Sequence, residues 1–314
     1  MKVLVTGGAG FIGSHLVDAL LSAGHSVRVL DDLSSGSIDL VPIDVEFIKG
    51  SVSDVRAVQR AVADVEVVFH QAAHRAVLRS VEHPLTTDEA NTHGTLAMLK
   101  ASVDAGVRRL VFASSSSVYG GAETMPTPET TRLNPRSPYA VSKLAGEHYC
   151  RCFAELYPLE TVALRYFNVY GPRQRPDSAY ATVIPLFMRA LVDGEPPIVH
   201  GDGRQSRDFT YIDDVVRANL AAAAAPGDVC SGKAYNVAGG ASYSLLELLD
   251  ILGDTLGIEP RPVFEGPRAG DVRHTRADIT AARRDLGHVP QVGFREGLRR
   301  TVLAFTEANR KAAV

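Results

Sequence analysis

The chain has 314 residues, 45% hydrophobic and 22% charged, an ordinary balance for one large domain or two modest ones around a buried core. Its net charge of −3 leaves no basic footprint for nucleic acid, and the longest apolar stretch, around Ala218 to Ala225, is too short to span a membrane. Three cysteines, Cys150, Cys152 and Cys230, build no disulfide framework, and no Cys-x-x-Cys or clustered histidine pattern suggests a metal site.

Read in chain order, the first half alternates strands and helices. A short β-branched strand at Lys2–Val5 leaves no room for a signal peptide, so the expected location is cytoplasmic. Ser14–Ala23 reads as a helix closed by Gly24, and Val27–Leu30 as a buried strand. Strands at Val45–Ile48, Val65–Phe69 and Leu110–Ala113 follow, separated by helical patterns at Asp54–Val62 and Asn91–Ala105. A helix over Tyr139–Leu156 leads to a strand at Thr161–Tyr166. This alternation predicts a Rossmann-type α/β fold, a doubly wound parallel sheet covered on both faces. After Gly171 prolines punctuate the pattern. A helix at Tyr180–Val192, short strands near Ile198 and Asp208–Tyr211, a helix after Asp213 and a strand at Ala234–Val237 are expected. Helices at Leu245–Leu256, Ile279–Leu286 and Arg295–Ala308 complete the chain. The expected division puts residues 1–171, with roughly 208–240, in a dinucleotide-binding domain. Residues 172–207 and 241–314 then form a smaller α/β C-terminal substrate lobe.

The run VTGGAGFIG spaces Gly7, Gly10 and Gly13 directly after a strand and before a helix. Glycines there permit a tight turn and bring backbone close to a pyrophosphate resting on the helix N-terminus. Asp31 ends the second strand, eighteen residues after Gly13. A carboxylate at that point accepts hydrogen bonds from ribose hydroxyls and repels a 2′-phosphate, which favours NAD over NADP. Asp32 beside it is the alternative for the same role.

The run SPYAVSK places Tyr139 and Lys143 four residues apart, on one face of a helix. A tyrosine serves as a base only if its pKa falls from about 10, which a neighbouring ammonium promotes. The serine run Ser114–Ser117 sits at the carboxyl end of the fifth strand, where ligands bind in open α/β sheets. Each feature alone reads as an ordinary helix aromatic, a polar loop or a strand–helix turn. Packing does not explain their conjunction.

Eight segments carry a family resemblance: TGGAGFIGSHL, HQAAHRAV, NTHGTLAML, SSSSVYG, SPYAVSK, RYFNVYGPRQ, SRDFTYIDDV and PRAGDVRHTRAD. Over nearly its whole length the chain resembles the extended short-chain dehydrogenases/reductases, in particular nucleotide-sugar epimerases of the UDP-glucose 4-epimerase type. The resemblance implies NAD as cofactor, a UDP-sugar substrate and a homodimer formed by the Asn91–Ala105 and Tyr139–Leu156 helices. It makes Tyr139 the base, Lys143 the holder of the nicotinamide ribose and Ser115 the catalytic hydroxyl. Phe11, Ile12, Asp31, Ala72, Ala73 and Asn91 would line the cofactor channel. The family often has Gly-Asp after the third strand. Here Gly50 precedes Ser51, leaving Val52 to pack near the adenine. Arg75, Ser116, Ser117, Asn168, Gln174, Thr182, Val183, Arg207, Arg268, Asp271 and Thr275 would face the nucleotide diphosphate and its sugar. Arginines suit phosphate because they offer a fixed fork of donors and a permanent charge.

The implied reaction has Tyr139 remove the sugar O4 proton while C4 gives hydride to NAD. The 4-keto sugar turns over and hydride returns to its opposite face. Family dehydratases carry Asp-Glu after the catalytic hydroxyl, and the decarboxylases keep a Glu. Ser116 and Ser117 stand there in this chain, which favours epimerisation. Thr275 occupies a position that is a bulky Tyr in epimerases restricted to UDP-glucose and UDP-galactose, so UDP-GlcNAc and UDP-GalNAc are also expected to fit. GPRQRPDSA, residues 171–179, also resembles UDP-glucuronate 4-epimerases, which makes the uronate the alternative substrate. A one-way reductase releasing NADH and an NAD-sensing binding protein are the competing classes. The second commonly lacks the Tyr or Lys that this chain keeps.

Overall fold

The computed structural model describes residues 1–176, 181–267 and 272–312. In chain order the first part comprises β1 (Lys2–Thr6), α1 (Phe11–Ser22), β2 (Ser26–Asp31), β3 (Glu46–Lys49), α2 (Val55–Val62) and β4 (Val67–His70). It continues through α3 (Val77–Glu82), α4 (Pro84–Asp88), α5 (Gly94–Asp104), β5 (Arg109–Ser115), α6 (Pro138–Leu156) and β6 (Glu160–Tyr166). Then come β7 (Val169–Tyr170), α7 (Val183–Asp193), β8 (Ile198–His200), β9 (Ser206–Asp208), β10 (Thr210–Tyr211), α8 (Ile212–Ala224) and α9 (Gly227–Cys230). The remainder is β11 (Lys233–Val237), β12 (Ser242–Ser244), α10 (Leu245–Leu256), β13 (Val263–Glu265), α11 (Thr280–Leu286) and α12 (Phe294–Ala312).

Seven strands form one parallel sheet in the order β11-β6-β5-β4-β1-β2-β3. The chain runs outward from β1 to β3, then returns to the other side of β1 to lay down β4. Between β1 and β4 the direction of winding reverses, which opens a crevice at the strands' carboxyl ends. Alternate residues of each strand serve opposite faces. Val3, Val5, Val29, Phe69 and Val111 pack with Leu16, Val17 and Leu20 of α1 and Val215 and Ala218 of α8. Leu4, Leu30, Val68, Leu110 and Phe112 pack with Val58 of α2, Met98 and Leu99 of α5 and Phe153 of α6. All these residues are buried, which stabilises the fold by about 1.5–3 kcal/mol for each large aliphatic side chain.

Two arginines inside this core close helices. Arg109 is fully buried on β5 and donates from its Nη1 to the carbonyls of Ala222, Ala223 and Ala225 at the end of α8 (2.8, 3.0 and 2.6 Å). Arg28 on β2 serves the end of α2 in the same way, through Arg60, Ala61 and Ala63. Each places a cation where a helix leaves its last carbonyls unbonded.

The fold agrees with the expected α/β class, with local differences. The first helix starts at Phe11 rather than Ser14, because Gly10 is its N-cap and the third fingerprint glycine lies inside it. The helix expected from Asn91 is preceded by α3, α4 and a π-turn at Glu89–His93 that runs directly into α5. The strand expected at Asp208–Tyr211 is two strands in different small sheets. β9 pairs antiparallel with β12 and β10 pairs parallel with β7. Gly146 on α6 lets that helix approach β5, since a Cβ there would run into the Phe112 ring.

Candidate active site

One cavity of about 1360 Å³ runs along the carboxyl ends of the strands and continues toward α7 and β9. At one end lie the glycines. Gly7 has φ +69°, and a Cβ on it would come within 2.8 Å of the Ala72 backbone nitrogen. A Cβ on Gly13 would overlap the Gly7 carbonyl. Gly10 caps α1 without any side-chain hydrogen bond, so the first-turn N–H groups of Phe11, Ile12 and Gly13 face the cavity at the positive end of the helix dipole. This cradle fits the pyrophosphate of a dinucleotide.

Asp31 is buried at the end of β2. Its carboxylate accepts from Ala9 N at 3.0 Å and from Leu33 N at 2.8 Å, tying the glycine turn to the neighbouring strand. Burial pushes its pKa up, and these two N–H groups pull it back. Asp32 is exposed and caps the turn at Ser34 N, though both acids line the cavity. Ser51 and Val52 line it beyond β3, and Ala72 and Ala73 beyond β4. Asn91 differs from its expected place, because it is not among the cavity-lining residues. Its Oδ1 accepts from His74 N at 2.8 Å, and its Nδ2 donates to His74 O at 3.1 Å and Ser142 Oγ at 3.0 Å. It staples the loop after β4 to α6.

Tyr139 enters the cavity from the first turn of α6, which starts with Pro138 after the N-cap Ser137. It is 9% exposed. Burial raises its pKa, while a side-chain hydrogen bond from Ser115 and the charge of Arg75 lower it. Lys143 is buried one turn on, as the spacing predicted, and its Nζ donates to Ala113 O at 2.7 Å. Burial pulls its pKa down to about 7. Ser115 closes β5, and its Oγ accepts from Ser117 N (3.2 Å) and Ser117 Oγ (2.9 Å). Ser116 lines the cavity beside them. A phenol, a hydroxyl and cations converging on one pocket can exchange a proton with an alcohol or ketone.

The other end of the cavity joins segments distant in sequence. Asn168 sits at φ +34° after β6. Its Nδ2 donates to Asp208 O (2.9 Å) and Thr275 Oγ1 (3.3 Å), and Thr275 Oγ1 also accepts from Asp208 N (3.1 Å). Gln174 donates to Thr182 Oγ1 at 3.1 Å, so Thr182, the N-cap of α7, makes no cap hydrogen bond and leaves that helix start open beside Val183. Arg207 on β9 donates to the carbonyls of Ser206 and Arg273. All six residues line the cavity. Arg268 and Asp271 lie outside the described residues.

Several cavity or support residues carry no sequence-level role. Arg136 and His200 line the cavity. Buried Asp208 accepts from Ala277 N and Gly240 N (both 3.1 Å), and burial lifts its pKa to about 6. Glu147, two turns beyond Tyr139, accepts from Ser114 Oγ (2.5 Å) and forms a buried bidentate ion pair with Arg165 (2.9 and 2.8 Å). Arg165 donates on to Tyr119, whose hydroxyl donates to Asn236 of β11 (both distances near 2.8 Å, at 2.8 and 2.7 Å). The signals were present: Glu147 continues the i, i+4 face of Tyr139 and Lys143, and Arg165 and Asp208 lie within the quoted family segments.

Residues 3–238 match the model of the NAD dependent epimerase/dehydratase family. The UDP-glucose 4-epimerase of Mycolicibacterium smegmatis is 42% identical, over 97% of this chain and 98% of that protein. The crystal structure of Thermotoga maritima UDP-glucose 4-epimerase with UDP-glucose superposes with a TM-score of 0.94 at 39% identity, covering 98% of this chain and 100% of that one. The UDP-N-acetylglucosamine 4-epimerase of Methanobrevibacter ruminantium, solved with UDP-N-acetylmuramic acid, superposes with a TM-score of 0.92 at 38% identity, covering 98% of each chain.

Proposed function

This chain belongs to the NAD-dependent epimerase/dehydratase family, and from that premise we propose that it is an isomerase inverting C4 of a UDP-hexose, with NAD regenerated in every cycle. The observation that carries this reading is the single cavity shared by the glycine cradle, Tyr139 with Ser115, and the Asn168–Thr182–Arg207–Thr275 end. Gly7, Gly10 and Gly13, the open start of α1, Asp31 and Lys143 would hold NAD, which supplies reversible hydride transfer at C4 when bound.

Tyr139 takes the proton of the sugar O4 and returns it to that oxygen once the keto sugar has turned over. Ser115 orients that oxygen and shares the proton. The open start of α7 and Arg207 hold the diphosphate, leaving the hexose free to turn. Residues 172–207 and 241–314 act as the sugar-nucleotide lobe. Ser116 and Ser117, not carboxylates, directly follow Ser115. The described carboxylates lining the cavity are Asp31 and Asp32 beyond β2 and Asp193, Glu195 and Glu265 around α7, β8 and β13. Among the described residues a ketone formed beside Tyr139 therefore meets no second acid to drive elimination or decarboxylation. Thr275 leaves room that a bulkier residue would fill, so both UDP-glucose/UDP-galactose and their N-acetyl counterparts are accepted. We place the protein in the cytoplasm as a homodimer. The exposed apolar residues Val81, Leu85 and Val141 on α3, α4 and α6 support a self-association face.

The test is a set of separate incubations with UDP-glucose, UDP-GlcNAc and UDP-glucuronate without added cofactor, products being resolved by anion exchange and proton NMR. A C4 epimer of UDP-glucose or UDP-GlcNAc without net NADH is expected. An epimer from UDP-glucuronate alone replaces the hexose with the uronate, and a 4-keto or pentose product ends the epimerase reading. Sedimentation of the same sample at micromolar concentration reads the dimer; a monomer removes it.

A further inference from the structure

Ser115 sits at the end of β5 and Tyr139 in the first turn of α6, so the proton they share crosses a seam between two elements. A misplacement of about 1 Å between such groups can cost about 10²-fold in rate, so this seam has to be fixed. One tie is the bond from Lys143 Nζ to Ala113 O. Another is a buried ion pair, Glu147 of α6 with Arg165 of β6, which the proton transfer itself does not use.

Gly146 brings α6 close to β5, since a Cβ there would meet the Phe112 ring. Glu147, the next residue along the helix, then reaches both neighbouring strands. Ser114 and Arg165 are register partners across β5 and β6. Glu147 Oε1 accepts from Ser114 Oγ at 2.5 Å and from Arg165 Nε at 2.9 Å, and its Oε2 accepts from Arg165 Nη2 at 2.8 Å. Arg165 turns its remaining nitrogen, Nη1, to the Tyr119 hydroxyl (2.8 Å) and the Glu129 carbonyl (3.1 Å). Its guanidinium also lies 5.0 Å over the Tyr119 ring. Tyr119 ends the 3₁₀ turn Ser116–Tyr119, and Ser115 is the N-cap of that turn.

Ser115 is therefore gripped from both sides. The residue before it is bonded to Glu147, and the turn after it is bonded to Arg165. Successive strand side chains alternate in direction, so holding Ser114 toward α6 also fixes the direction of Ser115. An ion pair buried this deeply adds little net stability, because desolvation offsets the attraction, but its bonds are directional.

We propose that the Glu147–Arg165 pair is a positioning device for the reaction. Through Ser114 on one side and Tyr119 on the other, it sets the Ser115 hydroxyl in register with Tyr139. The chemical role of that hydroxyl rests on the epimerase reading, whereas the bonds that hold it do not.

The experiment is a double-mutant cycle on the NAD-loaded protein: wild type, Ser114→Ala, Ser115→Ala and the variant carrying both changes. Ser114→Ala removes one hydroxyl and leaves the ion pair whole. Its kcat should fall about tenfold, with KM for the epimerised UDP-sugar within about twofold of wild type. On the Ser115→Ala background the same change should cost almost nothing, because its effect passes through a hydroxyl already gone. Glu147→Leu/Arg165→Met exchanges the pair for apolar side chains and should lose at least as much kcat. Should that variant not fold, Ser114→Ala decides alone. An unchanged kcat in Ser114→Ala overturns the proposal. So do equal losses on both backgrounds, which would make Ser114 a general support of the fold. A raised KM with kcat intact also overturns it and would place the pair in sugar binding. If wild type epimerises none of the UDP-sugars, the functional reading fails and the titration of Tyr139 decides instead. The near-ultraviolet phenolate absorbance of each protein, minus that of its Tyr139→Phe form, should then shift its midpoint upward in Ser114→Ala as in Ser115→Ala, because the phenolate loses a hydrogen-bond donor. An unmoved midpoint in Ser114→Ala overturns the positioning role.

Discussion

The two ends of the cavity are built by opposite means. The cofactor end is shaped by side chains that are missing. Gly7, Gly8 and Gly13 press against Ala72, Val29 and each other so closely that a Cβ would collide. The sugar end is shaped by side chains that are present, from segments far apart in sequence: Asn168, Arg207 on β9 and Thr275 are knitted together around Asp208. A backbone cradle recognises what dinucleotides share, whereas a side-chain pocket can be altered one residue at a time to change the sugar. The cofactor end should therefore tolerate almost no substitution, and the sugar end should lose one property at a time.

The sharpest break in that contrast falls where the ends meet. Tyr139→Phe keeps the ring and its burial but removes the proton carrier. Turnover should fall by about 10²–10⁴-fold while NAD stays bound, read by epimerisation rate and by cofactor released on denaturation. Full activity in that variant would remove Tyr139 from the chemistry. Gly13→Ala tests the cradle. The added Cβ overlaps the Gly7 carbonyl, so the turn must open at a cost on the order of 1–3 kcal/mol, and the purified variant should carry little NAD. Retained NAD with unchanged melting would mean that the turn yields easily.

A smaller effect concerns the seam between β1 and β4. His70 is buried between the hydroxyls of Thr6 and Thr95, and burial pulls its pKa down to about 3. The folded protein thus refuses a proton that the unfolded chain accepts near 6.5. The stability due to neutral His70 is complete above that pH and is lost as pH falls toward 3, by up to about 1.4 kcal/mol per pH unit. His70→Gln should flatten this slope in urea titrations between pH 7 and pH 5. An equal slope in both proteins would place the acid sensitivity elsewhere.

Much of the fold was legible because its signals are local. β-Branched runs alternating with helical stretches report a sheet buried on both faces, and glycines between strand and helix report a turn that must lie tight. The i, i+4 spacing put Tyr139 and Lys143 on one face for the same reason. The missed elements are those whose stability is not local. α3 and α4 are six and five residues long, too short to announce themselves, and stand because α6 and the π-turn pack against them. β9 and β10 are brief strands that exist only where β12 and β7 pass.

The chain's own order of residues determined the sheet's class, the glycine cradle, the acid at the end of β2 and the shared helix face of Tyr139 and Lys143, all from neighbours within a turn or a strand. Only the tertiary structure decided what surrounds Tyr139. It anchored Lys143 at a carbonyl, bonded Asn91 to the backbone of His74 and drew Arg165 onto Glu147 beneath α6. Charges act through space and burial, and neither is written in the spacing of residues along a chain.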